Sequence, residues 1–233
     1  MRQTANTLIT RPKIIVLDVY ETLLDMREME RKVNGLLDYR RGYILWFELF
    51  MQYCFVDNCT VQFNDFISIA KATMQMTAYK LDRNVEESAI DSVLEMLKHL
   101  PVQNGVQEGL SVLANENFRI AALTNVPEAI VRERMERTGL ISYFECVLSA
   151  EQVKKYKPSI EVYRWVAKQM NEKEKDMLFA SSHGWDIAGA ANAGMETAFI
   201  QQAEELLYPL APTPCLVCNS LHDLANQLKA VQQ

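Results

Sequence analysis

The feature that most constrains the fold is an alternation of short apolar runs with longer amphipathic stretches. The apolar runs predict strands at Ile14 to Leu17, Arg119 to Leu123, Cys146 to Leu148, Met177 to Ala180, Thr197 to Ile200 and Cys215 to Cys218. Helical periodicity between them predicts helices at Val106 to Asn115, Pro127 to Arg137, Ile160 to Met170, Ile187 to Ala193 and Leu221 to Ala230. This order is typical of an α/β fold with a doubly wound parallel sheet.

Residues 26–100 have a different pattern, with no strand-like alternation. Amphipathic stretches at Leu36 to Tyr53, Phe63 to Tyr79 and Glu86 to Leu100 predict helices only. We therefore expect a helical cap at 26–100, inserted after the first strand, and a core made of 1–25 and 101–233.

Charge and composition narrow the class of protein. A net charge of -6 argues against a nucleic-acid partner, since phosphate neutralisation needs clustered Lys and Arg. The N-terminal apolar run ends at Asp18 and is too short for a signal peptide or membrane span, so we expect a cytoplasmic protein without a membrane partner. Five cysteines, including the isolated pair Cys215 and Cys218, fit reduced thiols better than disulfides or a zinc site.

Polar residues follow four of the predicted strands, where ligands bind in an open parallel sheet. They are Asp18, Tyr20 and Thr22 after the first strand, Thr124 and Asn125 after the second, Lys157 beyond the third, and Ser181, His183, Trp185 and Asp186 after the fourth. Each has a structural alternative, because Asp and Thr often cap helices and a lysine is usually a solvated surface residue. Their joint occurrence at strand ends favours a functional site.

The segments DVYETLLD, LTN, KP and SSHGWD resemble the four motifs of the haloacid dehalogenase superfamily, in the same order and across essentially the whole chain. The resemblance implies a Rossmann-like core with a helical cap after the first strand. Most members are Mg-dependent phosphatases, whose second acidic residue is replaced here by Tyr20. The acidic magnesium ligand of the fourth motif is replaced by Ser182. A tyrosine with a pKa near 10 is a poor acid, and a missing carboxylate weakens a magnesium site.

Both departures match the L-2-haloacid dehalogenase branch, which has tyrosine at this position and needs no metal. By this resemblance Asp18 would attack the substrate carbon and form an ester, and Lys157 would keep Asp18 ionised. The other implied roles are hydrogen bonding to the carboxylates by Thr22 and Ser181, positioning or activation of water by Asp186, and lining of the substrate pocket by Tyr20, Thr124, Asn125, Tyr163, His183 and Trp185.

The related enzymes also use a cap arginine, together with the asparagine matched by Asn125, to bind the leaving group. Arg40 and Arg41 are the candidates here, with solvated helix-flank charges as the alternative. The aromatic stretch Trp46 to Tyr53 is expected to form cap core and is a weaker candidate for substrate contact.

Two residues depart from the motifs of that branch. Glu21 stands where a glycine is usual, and either alters the loop or points to solvent. His183 stands where an asparagine is common, and either adds a hydrogen bond or titrates near neutral pH.

The resulting expectation is a metal-independent hydrolase of small 2-halocarboxylates with no cofactor, whose partners are the carboxylate substrate and halide. The alternatives are a Mg-dependent phosphatase and a non-catalytic binding protein of the same fold. A homodimer is left open.

Overall fold

A computed structural model describes residues 10–202 and 205–231 of the chain. One parallel sheet contains the strands β1 Ile14–Asp18, β2 Arg119–Thr124, β3 Cys146–Ser149, β4 Met177–Ser181, β5 Glu196–Ile200 and β6 Leu216–Cys218. Their order is β3-β2-β1-β4-β5-β6. The predicted α/β class, the Rossmann-like sheet and the six predicted strands are confirmed.

The helices are α1 Arg27–Leu36, α2 Gly42–Thr60, α3 Phe66–Lys80, α4 Glu87–Leu94, α5 Val106–Asn115, α6 Glu128–Arg137, α7 Ile160–Gln169, α8 Gly184–Ala193 and α9 Leu221–Ala230. A 3-10 turn at Glu95–Lys98 extends α4. Among the described residues, no helix has the length and apolar content needed to cross a membrane.

The sheet is covered on both faces, which explains why its strands are apolar throughout. Successive side chains of β1 point to opposite sides. Ile15 and Leu17 join a cluster with α5, α6, α9 and the cap, whereas Ile14 and Val16 join a cluster with α7 and α8. All five residues of β1 are buried.

The order of the strands places the ends of β1 and β4 at the centre of the molecule. From β1 the chain builds outward to β2 and β3, then returns to β4 on the other side. Ligands bind beyond the carboxyl ends of strands at such a reversal. Asp18 ends β1 and Ser181 ends β4, so both lie at this point.

The segment between β1 and α5 is helical. Residues 26–100, all of which the structure describes, contain no strand. The two connections to the core run side by side, with Asp25 N donating to Pro101 O at 2.8 Å and Gln103 N donating to Leu23 O at 2.8 Å. We propose that the cap spans 26–100 and that 1–25 and 101–233 form the core. Residues 1–9, 203–204 and 232–233 lie outside the described residues.

Helix boundaries were predicted less well than the strands. The single helix expected at 36–53 is wrong, because α1 ends at Leu36 and α2 begins at Gly42. The Asn34 side chain accepts from Tyr43 N at 2.8 Å and so stabilises the turn between the two helices. Helix α8 begins at Gly184 rather than Ile187, which places His183 directly before its first turn.

The cysteines form no disulfide. All five are free thiols, with Cys218 buried and Cys215 half-buried. Burial raises the pKa of Cys218 to about 12 and that of Cys215 to about 11, so both thiols stay protonated near neutral pH.

Candidate active site

Asp18 is buried at the end of the central strand, and both of its carboxylate oxygens are hydrogen-bonded. Oδ1 accepts from Lys157 Nζ at 2.7 Å. Oδ2 accepts from Thr22 Oγ1 at 2.7 Å, from Ser181 Oγ at 3.4 Å and from His183 Nδ1 at 3.3 Å. These contacts hold the carboxylate in one orientation and favour its ionised form.

Lys157 is a fully enclosed ammonium group, with 1% of its side chain exposed. Its Nζ lies 2.7 Å from Asp18 Oδ1, 2.6 Å from Asp186 Oδ2 and 3.4 Å from Leu123 O. An ammonium has three N–H donors, so all three have acceptors within the protein. The Lys157 backbone is positioned by Asn125, whose Oδ1 accepts from Lys157 N at 2.8 Å.

Asp186 lies behind Lys157, in the first turn of α8, and is 0% exposed. Its Oδ2 accepts from Lys157, and its Oδ1 accepts from the hydroxyl of Tyr163 on α7. Both oxygens of Asp186 are therefore hydrogen-bonded within the protein.

Burial and charge act in opposite directions on these groups. Burial disfavours the ionised form of Asp18, but Lys157 and His183 outweigh it and hold the Asp18 pKa below its ordinary value. Burial likewise opposes the charge on Lys157, yet the carboxylates of Asp18 and Asp186 raise its pKa. For Asp186 burial dominates and raises the pKa. The site thus contains an ionised Asp18 beside a charged lysine.

His183 lies between two carboxylates. Its Nδ1 is 3.3 Å from Asp18 Oδ2, and its Nε2 is 2.5 Å from Glu21 Oε2. The other oxygen of Glu21 accepts from Tyr43 OH at 3.1 Å. Burial lowers the pKa of His183, but the hydrogen bonds to Asp18 and Glu21 outweigh burial and raise it well above 6.5.

The loop after β1 is connected to the end of β4 through Thr22. Thr22 Oγ1 accepts from Ser182 N at 3.0 Å and lies 3.1 Å from Ser182 Oγ. The hydroxyl that orients Asp18 is thereby fixed from the neighbouring strand.

A cavity of about 70 Å³ opens above Asp18, between the core and the cap. Such a volume holds several water-sized groups, which suits a small substrate. Its core side is lined by Asp18, Tyr20, Glu21, Thr124, Asn125, Val126, Lys157, His183 and Trp185, and its cap side by Met26, Met29, Tyr43, Trp46, Phe47, Phe50, Met51, Phe66 and Leu97. The polar groups are on the core side, and the cap side is almost entirely apolar.

The geometry agrees with a match to the family model described as haloacid dehalogenase-like hydrolase, which covers residues 12–194. The chain belongs to the haloacid dehalogenase-like hydrolases. This confirms the family inferred from the four motifs.

Individual members of this family align along almost the whole chain at modest identity. (S)-2-haloacid dehalogenase 4A of Burkholderia cepacia is 24% identical over 212 residues, covering 90% of this chain and 91% of that protein. (S)-2-haloacid dehalogenase 2 of Pseudomonas sp. strain CBS-3 is 21% identical over 216 residues, covering 92% and 94% respectively. The fold is also similar to a structure of L-2-haloacid dehalogenase from Xanthobacter autotrophicus with chloropropionic acid covalently bound. That structure has a TM-score of 0.85 and 21% identity, covering 95% of this chain and 100% of that one.

Most of the site residues expected of a haloacid dehalogenase-like hydrolase lie together. Those that line the cavity are Asp18, Tyr20, Thr124, Asn125, Lys157, His183 and Trp185. Thr22, Ser181, Asp186 and Tyr163 lie behind them, connected by the hydrogen bonds given above. Tyr163 was expected to line the pocket, but it packs beneath Asp186 instead.

Arg40 and Arg41 are not part of the cavity. Both are exposed, in the turn before α2, and neither lines the cavity. Tyr43, in the first turn of α2, is buried against Glu21 instead. Among the residues that line the cavity, the cationic side chains are Lys157 and His183.

Glu21 and Tyr43 are cavity residues that sequence reasoning placed wrongly or overlooked. Glu21 keeps the left-handed backbone, with φ 65°, that favours the glycine usual at this position. Its side chain nevertheless turns inward to His183 rather than to solvent. In the sequence, the signal for the contact between Glu21 and His183 was that these two residues together replace the usual glycine and asparagine.

The aromatic stretch of the cap forms cap core, as expected, and part of it faces the cavity. Trp46, Phe47, Phe50 and Met51 pack in the cap and also line the cavity. Phe47 lies 6.0 Å from the His183 ring, centroid to centroid, so the cap contacts the polar side of the site.

The residues near Asp18 do not fit a magnesium ion. Mg²⁺ requires several oxygen ligands in octahedral geometry. Asp18, His183 and Asp186 present ligand atoms within 4.8 Å of one another, but one ammonium group binds both carboxylates and His183 directs its ring nitrogens at carboxylates. Ser182 supplies a neutral hydroxyl, which lies against Thr22.

Proposed function

We propose that this protein hydrolyses small 2-halocarboxylates, with Asp18 as a carboxylate nucleophile that attacks carbon, without a metal or other cofactor. The observation that carries the proposal is the buried, ionised Asp18, held by Lys157 on one oxygen and by hydroxyl groups on the other, at the base of a small apolar cavity. The aligned relatives bear the name (S)-2-haloacid dehalogenase, and the Xanthobacter structure contains a covalently bound chloropropionic acid.

In the first step, an oxygen of Asp18 displaces the halide from the substrate carbon and forms an ester. Lys157 keeps Asp18 ionised before the attack and stays close to the ester oxygen afterwards. Thr22 and Ser181 orient the carboxylate. The cavity is small and mostly apolar, and the low local dielectric constant of such a site strengthens these electrostatic contacts.

Asn125 is suited to bind the substrate carboxylate or the departing halide. Its Nδ2 has one long contact, at 3.5 Å to Lys157 O, so this amide retains donor capacity. It lines the cavity beside Val126 and Lys157.

In the second step, water attacks the Asp18 ester and releases the 2-hydroxycarboxylate. One proton of the water ends on the hydroxyl group of the product and the other is released. Each turnover therefore releases one halide and one proton.

Tyr20 argues against the phosphatase alternative. Its hydroxyl donates to Leu97 O at 3.3 Å, and burial raises its pKa further above 10. It therefore offers no acid for a leaving group.

Halide release from L- and D-2-chloropropionate and from haloacetates in excess EDTA tests the proposal, with phosphate-ester hydrolysis measured in parallel with and without Mg²⁺. We expect halide release from one enantiomer in EDTA and no phosphate release. Phosphate release that requires Mg²⁺, without halide release, would replace the proposal with the phosphatase alternative. A protein inactive in both assays that also forms no covalent adduct would support the non-catalytic alternative.

A further inference from the structure

The hydrogen bonds of His183 define its protonation state. Carboxylates accept hydrogen bonds but do not donate them when ionised, and His183 contacts one carboxylate through each ring nitrogen. Both nitrogens therefore donate, so the free enzyme contains an imidazolium. His183 is 4% exposed, and its side chain is enclosed between Phe47 and Trp185 as well as the two acids.

Asp186, which by the family resemblance would position or activate water, is closed off from the cavity. Lys157 and Tyr163 use both of its oxygens, and it does not line the cavity. His183 does line the cavity, and its Nδ1 lies 3.3 Å from Asp18 Oδ2. Of the titratable residues that line the cavity, Lys157 and His183 contact the Asp18 carboxylate, and the donors of Lys157 are all used. A water molecule that approaches the Asp18 ester from the cavity therefore comes close to His183.

We propose that His183 is the general base that deprotonates the water attacking the Asp18 ester, and that Glu21 positions it and stabilises its charged form. This proposal rests on the proposed function, because it assigns a residue to the second step of that reaction. A carboxylate that orients an imidazole and stabilises the imidazolium is the arrangement used by histidine bases in other hydrolases.

The proton balance closes over the two steps. In the first, a bond forms between an Asp18 oxygen and the substrate carbon, the carbon–halogen bond breaks with its electron pair leaving on the halide, and His183 releases a proton to solvent as the halide departs. In the second, His183 takes a proton from water, and the oxygen of that water bonds to the carbonyl carbon of the ester. The bond between that carbon and the substrate oxygen then breaks. The 2-hydroxycarboxylate leaves with the remaining proton, and Asp18 and the imidazolium are restored.

The loss of the negative charge at Asp18 favours release of the His183 proton. When Asp18 becomes an ester, one of the two carboxylates that favour the imidazolium disappears, and the proton is held less tightly. The charged groups that face His183 are Asp18 at the end of β1, Glu21 in the next loop, Lys157 beyond β3, and Glu205 after β5. The Glu205 carboxylate comes within 4.8 Å of the ligand atoms of Glu21 and His183, so it adds to the negative field.

The backbone of Glu21 is an independent observation in favour of the pair. A glutamate with φ 65° adopts a conformation that L-residues rarely take. Strained backbone persists where surrounding contacts over-determine it, and such residues cluster at functional sites. The contacts here are those of the Glu21 side chain with His183 and Tyr43.

The test is the fate of the covalent ester in His183→Asn, using L-2-chloropropionate as the probe. We expect this variant to release one equivalent of halide in a burst, to accumulate a stoichiometric adduct by intact-protein mass spectrometry, and to turn over about 10²–10⁴-fold more slowly. His222→Asn, on α9, is the matched control and is expected to behave as wild type.

Two results with His183→Asn would overturn the assignment while leaving the proposed function intact. One is turnover at the wild-type rate without a burst. The other is a folded variant, by its thermal melting curve, that forms no adduct at all, which would place His183 in the first step. If wild type itself forms no adduct and releases no halide from any 2-halocarboxylate, the proposed function fails instead.

A second measurement does not depend on the substrate. Asp18→Asn removes the same negative charge that esterification removes, and Glu21→Gln removes the other. We expect the His183 ring, followed by NMR of ¹⁵N-histidine-labelled protein, to titrate at lower pH in each variant than in wild type. We also expect Glu21→Gln to accumulate the adduct as His183→Asn does, which a merely structural role would not produce. An unchanged titration in both variants would contradict the proposed cycle.

Discussion

The ammonium of Lys157 lies 2.7 Å from a carboxylate oxygen of Asp18, although 139 residues separate them in the chain. The same ammonium lies 2.6 Å from Asp186. One buried cation thus compensates two buried carboxylates, and the predictions below follow from how this arrangement responds to change.

Replacement of the nucleophile removes the chemistry with little change of shape. We expect Asp18→Asn to lower halide release by about three to six orders of magnitude, as loss of a covalent nucleophile does elsewhere. The matched control is Asp65→Asn at the N-cap of α3, where asparagine caps a helix equally well. Residual activity near wild type in Asp18→Asn would contradict covalent catalysis by this residue.

Removal of Lys157 affects both stability and rate. Lys157→Ala leaves Asp18 and Asp186 buried without their cation, and we expect a loss of about 3–5 kcal/mol in the free energy of unfolding. Halide release is expected to fall by orders of magnitude. Chemical denaturation gives the stability, and the exposed Lys168→Ala on α7 should change it by less than about 0.5 kcal/mol.

A comparison of two buried tyrosines distinguishes an effect on catalysis from an effect on packing alone. Tyr163 donates to Asp186, whereas Tyr156 donates to Asn64 O at 2.6 Å. We expect Tyr163→Phe and Tyr156→Phe each to destabilise by about 1–3 kcal/mol, because each leaves a buried acceptor without its donor. Only Tyr163→Phe should also lower kcat. An equal loss of kcat in both variants would show that the Asp186 contact has no particular role.

The cap arginines lie away from the cavity, so their removal should have little effect. We expect the double variant Arg40→Ala/Arg41→Ala to keep kcat/KM for L-2-chloropropionate within about two-fold, as other surface substitutions do. A reduction of ten-fold or more would show that a movement of the cap brings one of them to the leaving group.

The charge on His183 makes part of the stability depend on pH. Its folded-state pKa is raised well above the unfolded value of 6.5, so its stabilising contribution is complete below pH 6.5. The contribution is lost as the pH rises through the raised folded-state pKa. The difference in the free energy of unfolding between wild type and His183→Asn should therefore be largest between about pH 5 and 6.5. It should decrease in alkaline solution, and denaturant titrations across this range would measure it. A difference that grows with pH would contradict an imidazolium in the folded protein.

The strands and the polar residues at their ends were predictable from the sequence. Apolar runs such as Ile14 to Leu17 predict buried strands because burial on both faces leaves no polar position. Parallel strands end at the same edge of the sheet, so Asp18, Asn125, Ser181 and Lys157 converge there. These relationships can be predicted from the local hydrophobic pattern and the order of the strands along the chain alone.

The cap and the orientation of individual side chains required the tertiary structure. Helical periodicity predicts that residues 26–100 are helical, but it does not show how a cap helix is oriented relative to the sheet. Arg40 and Arg41 were therefore placed in a cavity to which Tyr43 belongs instead. The inward turn of Glu21, the enclosure of Asp186 and the two carboxylate contacts of His183 depend on packing between segments far apart in the chain. Sequence thus determined most of the polar groups at the strand ends. Packing decided which of them face the cavity and added Tyr43 and the side chain of Glu21, because side-chain partners are chosen by distances that only the folded chain defines.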